Sequence, residues 1–532
     1  MAGRSTRRKM LRNLALTGAA LSDAGLEALA ALSPATAAEG QVTPDLVRFH
    51  PDIEPVVRRI EETPRERCAE VMVGELRDGL PVRVFLAGLY LAALRGATYH
   101  GGIHGFDHNA YSIHSVDHLS RDLPATERLL PLFWALDSFK GSQGRYAGPR
   151  PVALTGALPA GSAAEQELME GLEGWDSERA ERAVAGLIRS GGRERVGELL
   201  WPYAARDWYF IGHLAILVAN SWRLLDTIGW RHAEPVLRYV VSGLSGMKRE
   251  ESYLGLYPEN LQRVRQTEAQ LPGGWAGRGG NAGLTRELLA LLREANAEAA
   301  CELATAQLLT GKAKAGAVWD AVHLASGEMV MSVQKGSEPL HANTAANALH
   351  SIFTACRNPS HRLLILLQAL GWTTHFRRAI GKKGWLKDPV EITGLEEREL
   401  PNRATDAVGA ILAHASFGPG GRPVANPAPG WYGMEYNREP WRAEVAGQTF
   451  AFARRFPESE DLLLAGARHL LARKADGDPH RMKFPVAAFE NQRWVSPEWR
   501  PHLLAVASYS FLGADALDTE SYTRTDLALR KG

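Results

Sequence analysis

The segment His213-Leu-Ala-Ile-Leu-Val-Ala-Asn220-Ser-Trp-Arg223 decides how this chain of 532 residues is interpreted. Its apolar residues recur at helical spacing with good helix formers between them, so the pattern predicts a buried helix. The histidine stands where that helix begins, and the asparagine lies about two turns later. Another apolar segment, Pro235-Val-Leu-Arg238, follows and predicts a further helix.

Two other segments share this plan, which indicates an internal helical repeat. One is His108-Asn-Ala-Tyr-Ser-Ile-His114, followed by Arg128-Leu-Leu-Pro-Leu-Phe-Trp134; the other is His341-Ala-Asn-Thr-Ala-Ala-Asn347, followed by His361-Arg-Leu-Leu-Ile-Leu-Leu367. The repeat makes two sets of positions equivalent: His108, His213 and His341, and also His114, Asn220 and Asn347. In a closed ring of helices these side chains would point at one centre, whereas in an open solenoid they would lie one repeat apart. The alternative is that they satisfy buried backbone groups or cap neighbouring helices.

Helical patterns also dominate the rest of the chain. The spacing of apolar residues predicts helices over Glu165–Ile188, Thr285–Leu309, Trp319–Met331 and Asp461–Arg473. Alternating strand patterns and two-residue hairpin turns between apolar runs are absent from the sequence. We therefore expect an all-α fold, at least half helical from about residue 45 onward. It would be a large multi-helix domain with internal repeats, either closed around a central pocket or open.

The chain divides into three stretches on composition. Residues 1–40 contain Thr6-Arg7-Arg8-Lys9-Met10-Leu11-Arg12, a mild apolar stretch and Ala35-Thr36-Ala37. This order is typical of a twin-arginine export leader with a cleavage site, and a basic disordered N-terminus is the alternative. The protein would accordingly be exported or cytoplasmic. The glycine-rich Leu271–Gly280 predicts a flexible boundary between an N-terminal helical half (41–270) and a C-terminal half (284–532) packed against it.

Composition excludes several classes of partner and site. The chain has 61 basic and 60 acidic residues, so no global field attracts nucleic acid or an anionic membrane. The longest apolar run, Val84–Leu94, is about half of a membrane span and predicts a core helix. Three scattered cysteines are too few for a disulfide framework. We expect a small-molecule substrate and no membrane-spanning segment.

Five of the 17 histidines fall between Tyr99 and His118, in a stretch that Gly101, Gly102 and Gly105 break. His114 and His118 are four residues apart, which puts two imidazoles on one helix face for a metal ion. Asp107 and Asp117 are candidates to ligate the metal or to orient an imidazole. No standard metal signature is present in the sequence. The candidate metal ligands are His104, His108, His114, His118, His213 and His341, and the candidate catalytic residues are His114, Asp117, His118 and His480.

The late motif Asp478-Pro-His480-Arg-Met-Lys483 resembles the questin oxidase family, whose members carry Asp-x-His-x-x-Lys near the C-terminus. The segments Ile211–Arg223 and Thr227–Arg238 also resemble uncharacterised bacterial proteins with twin-arginine leaders, and the resemblance covers roughly residues 80 to 490. It implies oxidative, Baeyer–Villiger-type cleavage of an aromatic polyketide or similar ring, with NADPH as the reductant. The histidine cluster near residue 100 is denser than the family pattern, and no flavin or nicotinamide fingerprint accompanies the motif.

These observations together predict an oxygen-dependent oxidase or monooxygenase for an aromatic or polyketide-like small molecule. Ferrous iron or another divalent metal would be bound by neutral imidazoles, which requires a pH above about 6.5. Without a metal, the same histidines would act as general acid and base. One alternative is a metal-dependent hydrolase or cyclase that polarises a carbonyl. The other is a non-enzymatic helical-repeat binding scaffold, in which histidines and tryptophans only pack and cap helices.

Overall fold

The computed structural model describes residues 49, 51–97, 108–143, 154–333, 336–415 and 439–531. The described residues form 22 α-helices joined by short turns and 3₁₀ segments, with no β-strand among them. The all-α prediction is therefore confirmed, because helical periodicity recurs in most long segments of the sequence.

Eleven helices lie in the N-terminal half: α1 (Glu54–Glu62), α2 (Arg65–Arg77), α3 (Val82–Gly96), α4 (His108–Asp122), α5 (Leu130–Ser142), α6 (Gly161–Gly174), α7 (Ser177–Ser190), α8 (Arg193–Ala204), α9 (His213–Ile228), α10 (Ala233–Ser245) and α11 (Tyr257–Thr267). Eleven follow: α12 (Ala282–Arg293), α13 (Ala297–Leu309), α14 (Ala315–Ser332), α15 (Glu338–Ala355), α16 (Pro359–Lys382), α17 (Ala404–His414), α18 (Pro440–Arg455), α19 (Glu460–Lys474), α20 (His480–Trp494), α21 (Arg500–Ala507) and α22 (Glu520–Arg530).

Two of the predicted long helices are each divided into two shorter ones. The first breaks at Trp175, whose φ of 58° is left-handed, and Asp176 then caps α7 by accepting a hydrogen bond from the backbone N–H of Arg179. The second breaks at Ala295, with φ of 55°, and Asn296 caps α13 in the same way. An acidic or amide side chain that accepts from a helix's third N–H begins a new helix, and apolar periodicity alone does not reveal it.

Four helices pack in a ring that positions the site. α4 contacts α9, α9 contacts α15, α15 contacts α20, and α20 contacts α4 again. Most side chains of α9 and of α15 are buried, including polar ones such as His213, Asn220 and Asn347. The three repeat segments contribute α4, α9 and α15, and the fourth member begins at His480. The histidine-marked helices therefore lie side by side around one interior.

The two halves of the chain form this ring jointly, since α4 and α9 come from one half and α15 and α20 from the other. The glycine-rich connection between the halves is held in place. The carbonyl of Trp275 accepts a hydrogen bond of 2.8 Å from the N–H of Ala315, and Gly277 accepts one of 3.2 Å from Gly316. The site is thus built between the halves rather than inside either.

Other predictions have separate outcomes. The apolar run Val84–Leu94 lies within α3, most of whose side chains are buried, as expected of a core helix. None of the helices in the described part of the chain is long and apolar enough to cross a bilayer. The candidate leader in residues 1–40, the candidate ligand His104 and the candidate carboxylate Asp107 lie outside the described residues.

Candidate metal centre

Three buried histidines meet where the ring helices begin. The Nε2 atoms of His213 and His341 lie 3.1 Å apart, and those of His341 and His480 lie 3.3 Å apart. All three ligand atoms fall within 4.8 Å of one another. We call this group the histidine triad. Its members lie 128 and 139 residues apart in the sequence, so only the packing of α9, α15 and α20 brings them together.

The other ring nitrogen of each triad histidine is held by an oxygen. Nδ1 of His213 lies 2.6 Å from the carbonyl oxygen of Phe210, and Nδ1 of His341 lies 2.7 Å from that of Ser337. Nδ1 of His480 lies 2.7 Å from a carboxylate oxygen of Asp478. Because these oxygens only accept, each Nδ1 donates a proton to its partner, and each Nε2 is left with a lone pair. The three Nε2 lone pairs therefore converge, an arrangement that a proton or a cation between them would stabilise.

Local backbone geometry sets the position of each histidine. Gly212, with φ of 79°, precedes His213, and a Cβ there would lie only 2.8 Å from the side chain of Ala345. Glycine thus lets α9 begin in close contact with α15. Phe210 and Ile211 also adopt left-handed φ values of 54°, which costs energy for such residues and turns the Phe210 carbonyl toward the imidazole. Just before α20, Asp478 accepts hydrogen bonds from both the backbone N–H and Nδ1 of His480.

Electrostatics keep the triad neutral. Burial lowers the pKa of His213 and of His341 well below the ordinary value, and the nearby charge of Lys483 adds to the effect. Burial lowers the pKa of His480 to about 4, although Asp478 opposes the shift. Burial also disfavours ionisation of Asp478, but the hydrogen bond and charge of His480 outweigh it and lower its pKa to about 2. Neutral imidazoles fixed by an oxygen at Nδ1 are the form in which histidine binds metal ions.

The separations fit a metal ion. Two nitrogens at about 2.0–2.1 Å from one tetrahedral zinc ion lie roughly 3.3–3.4 Å apart. The distances of 3.1 and 3.3 Å for two of the three pairs are close to this spacing, and the third pair lies within 4.8 Å. The buried nitrogens come from neutral imidazoles, which suit zinc, iron, copper and nickel. The triad is therefore compatible with a transition metal, and it would leave at least one coordination position for another ligand.

A small cavity lies one helical turn beyond the triad. Ile216, Thr344 and Lys483 each follow a triad histidine by three residues on its helix, and each lines this cavity. Three residues of helix rise about 4.5 Å, so the cavity borders the triad along all three helices. We call it the inner cavity; it has room for about one water molecule. His114 and Asn220 also line it.

Two nitrogen-bearing side chains at the inner cavity have no hydrogen-bond partner in the described structure. Nζ of Lys483 makes no hydrogen bond there, and neither ring nitrogen of His114 makes one. Burial lowers the pKa of Lys483 to about 7 and that of His114 well below its ordinary value. Buried polar atoms in proteins almost always have a partner, so atoms left without one mark a place where a bound molecule is expected. Lys483 and His114 can accept and donate protons beside the triad.

Arg223 separates the inner cavity from a larger outer cleft, because it lines both. Its guanidinium binds Glu490 at 2.9 Å and the side-chain oxygens of Asn220 and Asn347 at 2.8 and 3.2 Å. Asn220 and Asn347, which the repeat makes equivalent, thus both accept hydrogen bonds from Arg223. They satisfy buried polar groups, in line with the alternative that sequence left open.

The outer cleft has a volume of about 330 Å³ and opens to the surface. Trp201, Trp222 and Trp494 provide its aromatic lining, with arginines that include Arg193 and Arg278. The rings of Trp201 and Trp222 pack edge to face, with centroids 4.5 Å apart. A cleft of this size with aromatic walls and a few polar groups is typical of small-molecule sites.

The structure places the sequence candidates in three groups. His213, His341 and His480 form the triad, and His114 lines the inner cavity instead of joining them. His118 lies 3.4 Å from Glu490 through Nε2 and is partly exposed. Within the described chain, neither His114 nor His118 belongs to a group of three ligating side chains within 4.8 Å. His108 begins α4, and its side chain lies outside what is described.

Asp117 does not hold an imidazole. It is buried and accepts a 3.0 Å hydrogen bond from the hydroxyl of Thr227, and it also pairs with Arg121. Burial raises its pKa, although Arg121 opposes the shift. The orienting carboxylate of the site is Asp478, which sequence reasoning quoted within its motif but did not place among the site residues. The sequence did contain a signal for this part of the site, because the motif places His480 at the start of a helix, as the three repeats do with their histidines.

No protein-family model, curated protein or solved structure matches this chain.

Proposed function

We propose that this protein is a metal-dependent, oxygen-using oxidase whose centre is a divalent ion, ferrous iron, bound by the Nε2 atoms of His213, His341 and His480. The observation that carries the proposal is the convergence of three imidazole lone pairs whose Nδ1 atoms are all tied to oxygen acceptors. A purely structural histidine cluster would use Nδ1 and Nε2 to satisfy its neighbours, and it would not direct three acceptors at one point.

Iron bound there would supply the electrons that activate oxygen, with NADPH as the reductant that the sequence resemblance implies. The protein residues would orient the ion, exclude water and move protons. Burial of the triad keeps bulk water away, and the inner cavity admits only a small molecule beside it. His114 and Lys483 would take up or release protons at whatever occupies that cavity.

The outer cleft would bind the organic substrate. Its tryptophans offer flat apolar faces to an aromatic ring, and its arginines would pair with phenolate or carboxylate groups. The route from this cleft to the inner cavity passes Arg223, so this side chain would have to move or be contacted by the substrate. The motif Asp478-x-His480-x-x-Lys483 supports an oxidative reaction, since it resembles that of the questin oxidase family and all three residues lie at the centre.

A second candidate is a zinc-dependent hydrolase or cyclase. Three histidines with an open position are also a catalytic zinc set, and the triad includes no carboxylate ligand. In that case the ion would polarise a carbonyl group or activate a water molecule in the inner cavity.

Metal analysis of anaerobically purified protein, followed by oxygen-uptake measurements with phenolic aromatic compounds and NADPH, tests the proposal. We expect about one iron per chain, oxygen uptake with the native protein, and loss of both in His341→Ala. Zinc at the same stoichiometry that is lost in His341→Ala, without oxygen uptake, would favour the hydrolase or cyclase. A native chain that retains no iron or zinc, even after incubation with either ion, would overturn both and favour the binding scaffold.

A further inference from the structure

A second group of ligating side chains lies at the edge of the outer cleft. Glu198 belongs to α8, and Cys356 and His361 flank the turn between α15 and α16. A carboxylate oxygen of Glu198 lies 3.3 Å from Sγ of Cys356 and 3.3 Å from Nδ1 of His361. The three ligand atoms lie within 4.8 Å of one another. We call this group the rim cluster, because Glu198 also lines the outer cleft.

The rim cluster has the chemistry of a zinc site. Thiolate, imidazole and carboxylate are the three ligand types that zinc takes in proteins, at about 2.0–2.3 Å. Ligands at these distances around one tetrahedral ion lie roughly 3.3–3.6 Å apart, close to the observed separations. The charges also balance, since a thiolate and a carboxylate together neutralise a divalent cation.

Glu198 is already fixed for this role by the backbone. Its carboxylate accepts hydrogen bonds from the N–H groups of Arg357 at 2.5 Å and of Asn358 at 3.4 Å. The oxygen that accepts from Asn358 also lies close to both the thiol and the imidazole. Cys356 is buried, whereas the side chains of Glu198 and His361 are partly exposed, so an ion could be reached from the cleft.

We propose that Glu198, Cys356 and His361 form a second, zinc-binding site that joins α8 to the turn between α15 and α16. Binding would release the thiol proton of Cys356 to solvent as the sulfur–zinc bond forms. The fourth position would face the cleft and take water. Because Glu198 and the other two ligands come from different halves of the chain, the ion would stabilise the mouth of the outer cleft. This site stands independently of the function proposed for the triad.

Cobalt titration of metal-free protein tests the proposal, because cobalt bound to a thiolate gives a near-ultraviolet charge-transfer band. The triad has no sulfur and cannot produce it. We expect the band in the native protein and in His341→Ala, and its loss in Cys356→Ser. Cys301→Ser is the matched control and should keep the band. Cys301 is buried outside the rim cluster, where its thiol donates a hydrogen bond to the carbonyl of Leu367.

A second measurement tests the proposal even if the Cys356→Ser variant does not fold. His361→Gln alters a partly exposed side chain, and in a His341→Ala background, where the triad is incomplete, it should weaken zinc binding by more than about tenfold, the loss that even outer partners of a ligand cause. Zinc should raise the melting temperature of the native protein more than that of His361→Gln. No thiolate–cobalt band in the native protein, or the same zinc affinity with and without His361, would show that Glu198 only caps α16 and would overturn the proposal.

Discussion

Two groups of buried histidines in this protein satisfy their ring nitrogens in opposite ways. In the triad, every Nδ1 donates to an oxygen and every Nε2 points at another Nε2. In the second group, Nε2 of His323 lies 2.8 Å from Nδ1 of His350, so one ring donates to the other. The ring of His350 also stacks on Trp319, with centroids 4.2 Å apart and planes nearly parallel. We call these two residues the histidine pair.

The difference shows that burial alone does not identify a ligand. Burial lowers the pKa values in both groups, so acidity does not distinguish them. The distinction is the direction of the lone pairs: the two rings of the histidine pair face each other through Nε2 and Nδ1, whereas in the triad all three Nε2 atoms face one another. We therefore expect loss of a triad member to remove function and loss of a pair member to remove stability.

The largest expected effect is the difference between a variant of the triad and a variant of the histidine pair. His341→Ala removes the central member of the triad, so the iron and the activity should both be lost while the helical circular-dichroism spectrum is kept. His350→Ala should keep the metal but lower the free energy of unfolding by about 2–4 kcal/mol, because it leaves a void against Trp319. Metal analysis and thermal melts of both variants test this. Metal loss in His350→Ala with full metal in His341→Ala would reverse the assignment.

His114 is expected to act on protons rather than on the metal. His114→Ala should reduce turnover by about 10²-fold or more, the usual contribution of a general acid or base, with metal content unchanged. His114→Gln is the matched variant, since it keeps hydrogen-bonding capacity but cannot exchange a proton near neutral pH. If His114→Ala loses its metal, His114 is a ligand after all, as its spacing from His118 suggests in the sequence.

The next largest effect, on metal affinity, is expected at Asp478, whose carboxylate accepts a hydrogen bond from Nδ1 of His480. Asp478→Asn keeps the size of the side chain but weakens its hold on Nδ1 of His480, so metal affinity should fall about 10- to 100-fold. Asp117→Asn is the control: this buried carboxylate contacts Thr227 and Arg121 instead, and it should leave affinity unchanged. Equal affinities in Asp478→Asn and the native protein would mean that backbone packing alone orients His480.

The histidine pair makes folding sensitive to acid. Burial lowers the pKa of His323 to about 3, against about 6.5 in an unfolded chain. Between these values the unfolded state binds more protons, so stability falls as the pH drops from about 6.5 toward 3, by at most about 1.4 kcal/mol per pH unit for one group. Unfolding titrations of the native protein and His323→Gln should show a shallower pH dependence in the variant. Identical slopes would contradict the assignment.

The smallest effect is expected at His118. This partly exposed side chain faces Glu490 and Asp122, outside the triad, and such pairs contribute at most about 1 kcal/mol. His118→Ala should therefore keep its metal and most of its activity. Loss of bound metal in this variant would restore the paired-ligand hypothesis for His114 and His118.

Sequence reasoning reached part of the site. It selected His213 and His341 because both stand near the start of helices with the same plan, and His480 because its motif resembles that of the questin oxidase family. It gave most weight to His114 and His118, because spacing on one helix is visible in a sequence and spacing between helices is not. It did not find Asp478 as the partner of His480, the histidine pair or the rim cluster, whose members lie up to 163 residues apart.

The sequence by itself determined that this is a helical protein with histidines at repeated positions, because periodicity and helix starts are local properties of the chain. The tertiary structure decided which histidines meet. The choice depends on how four helices from both halves close into a ring, and on the close contact between Gly212 and α15. Ligand geometry is a matter of a few ångströms between residues more than a hundred positions apart, and only packing fixes distances of that kind.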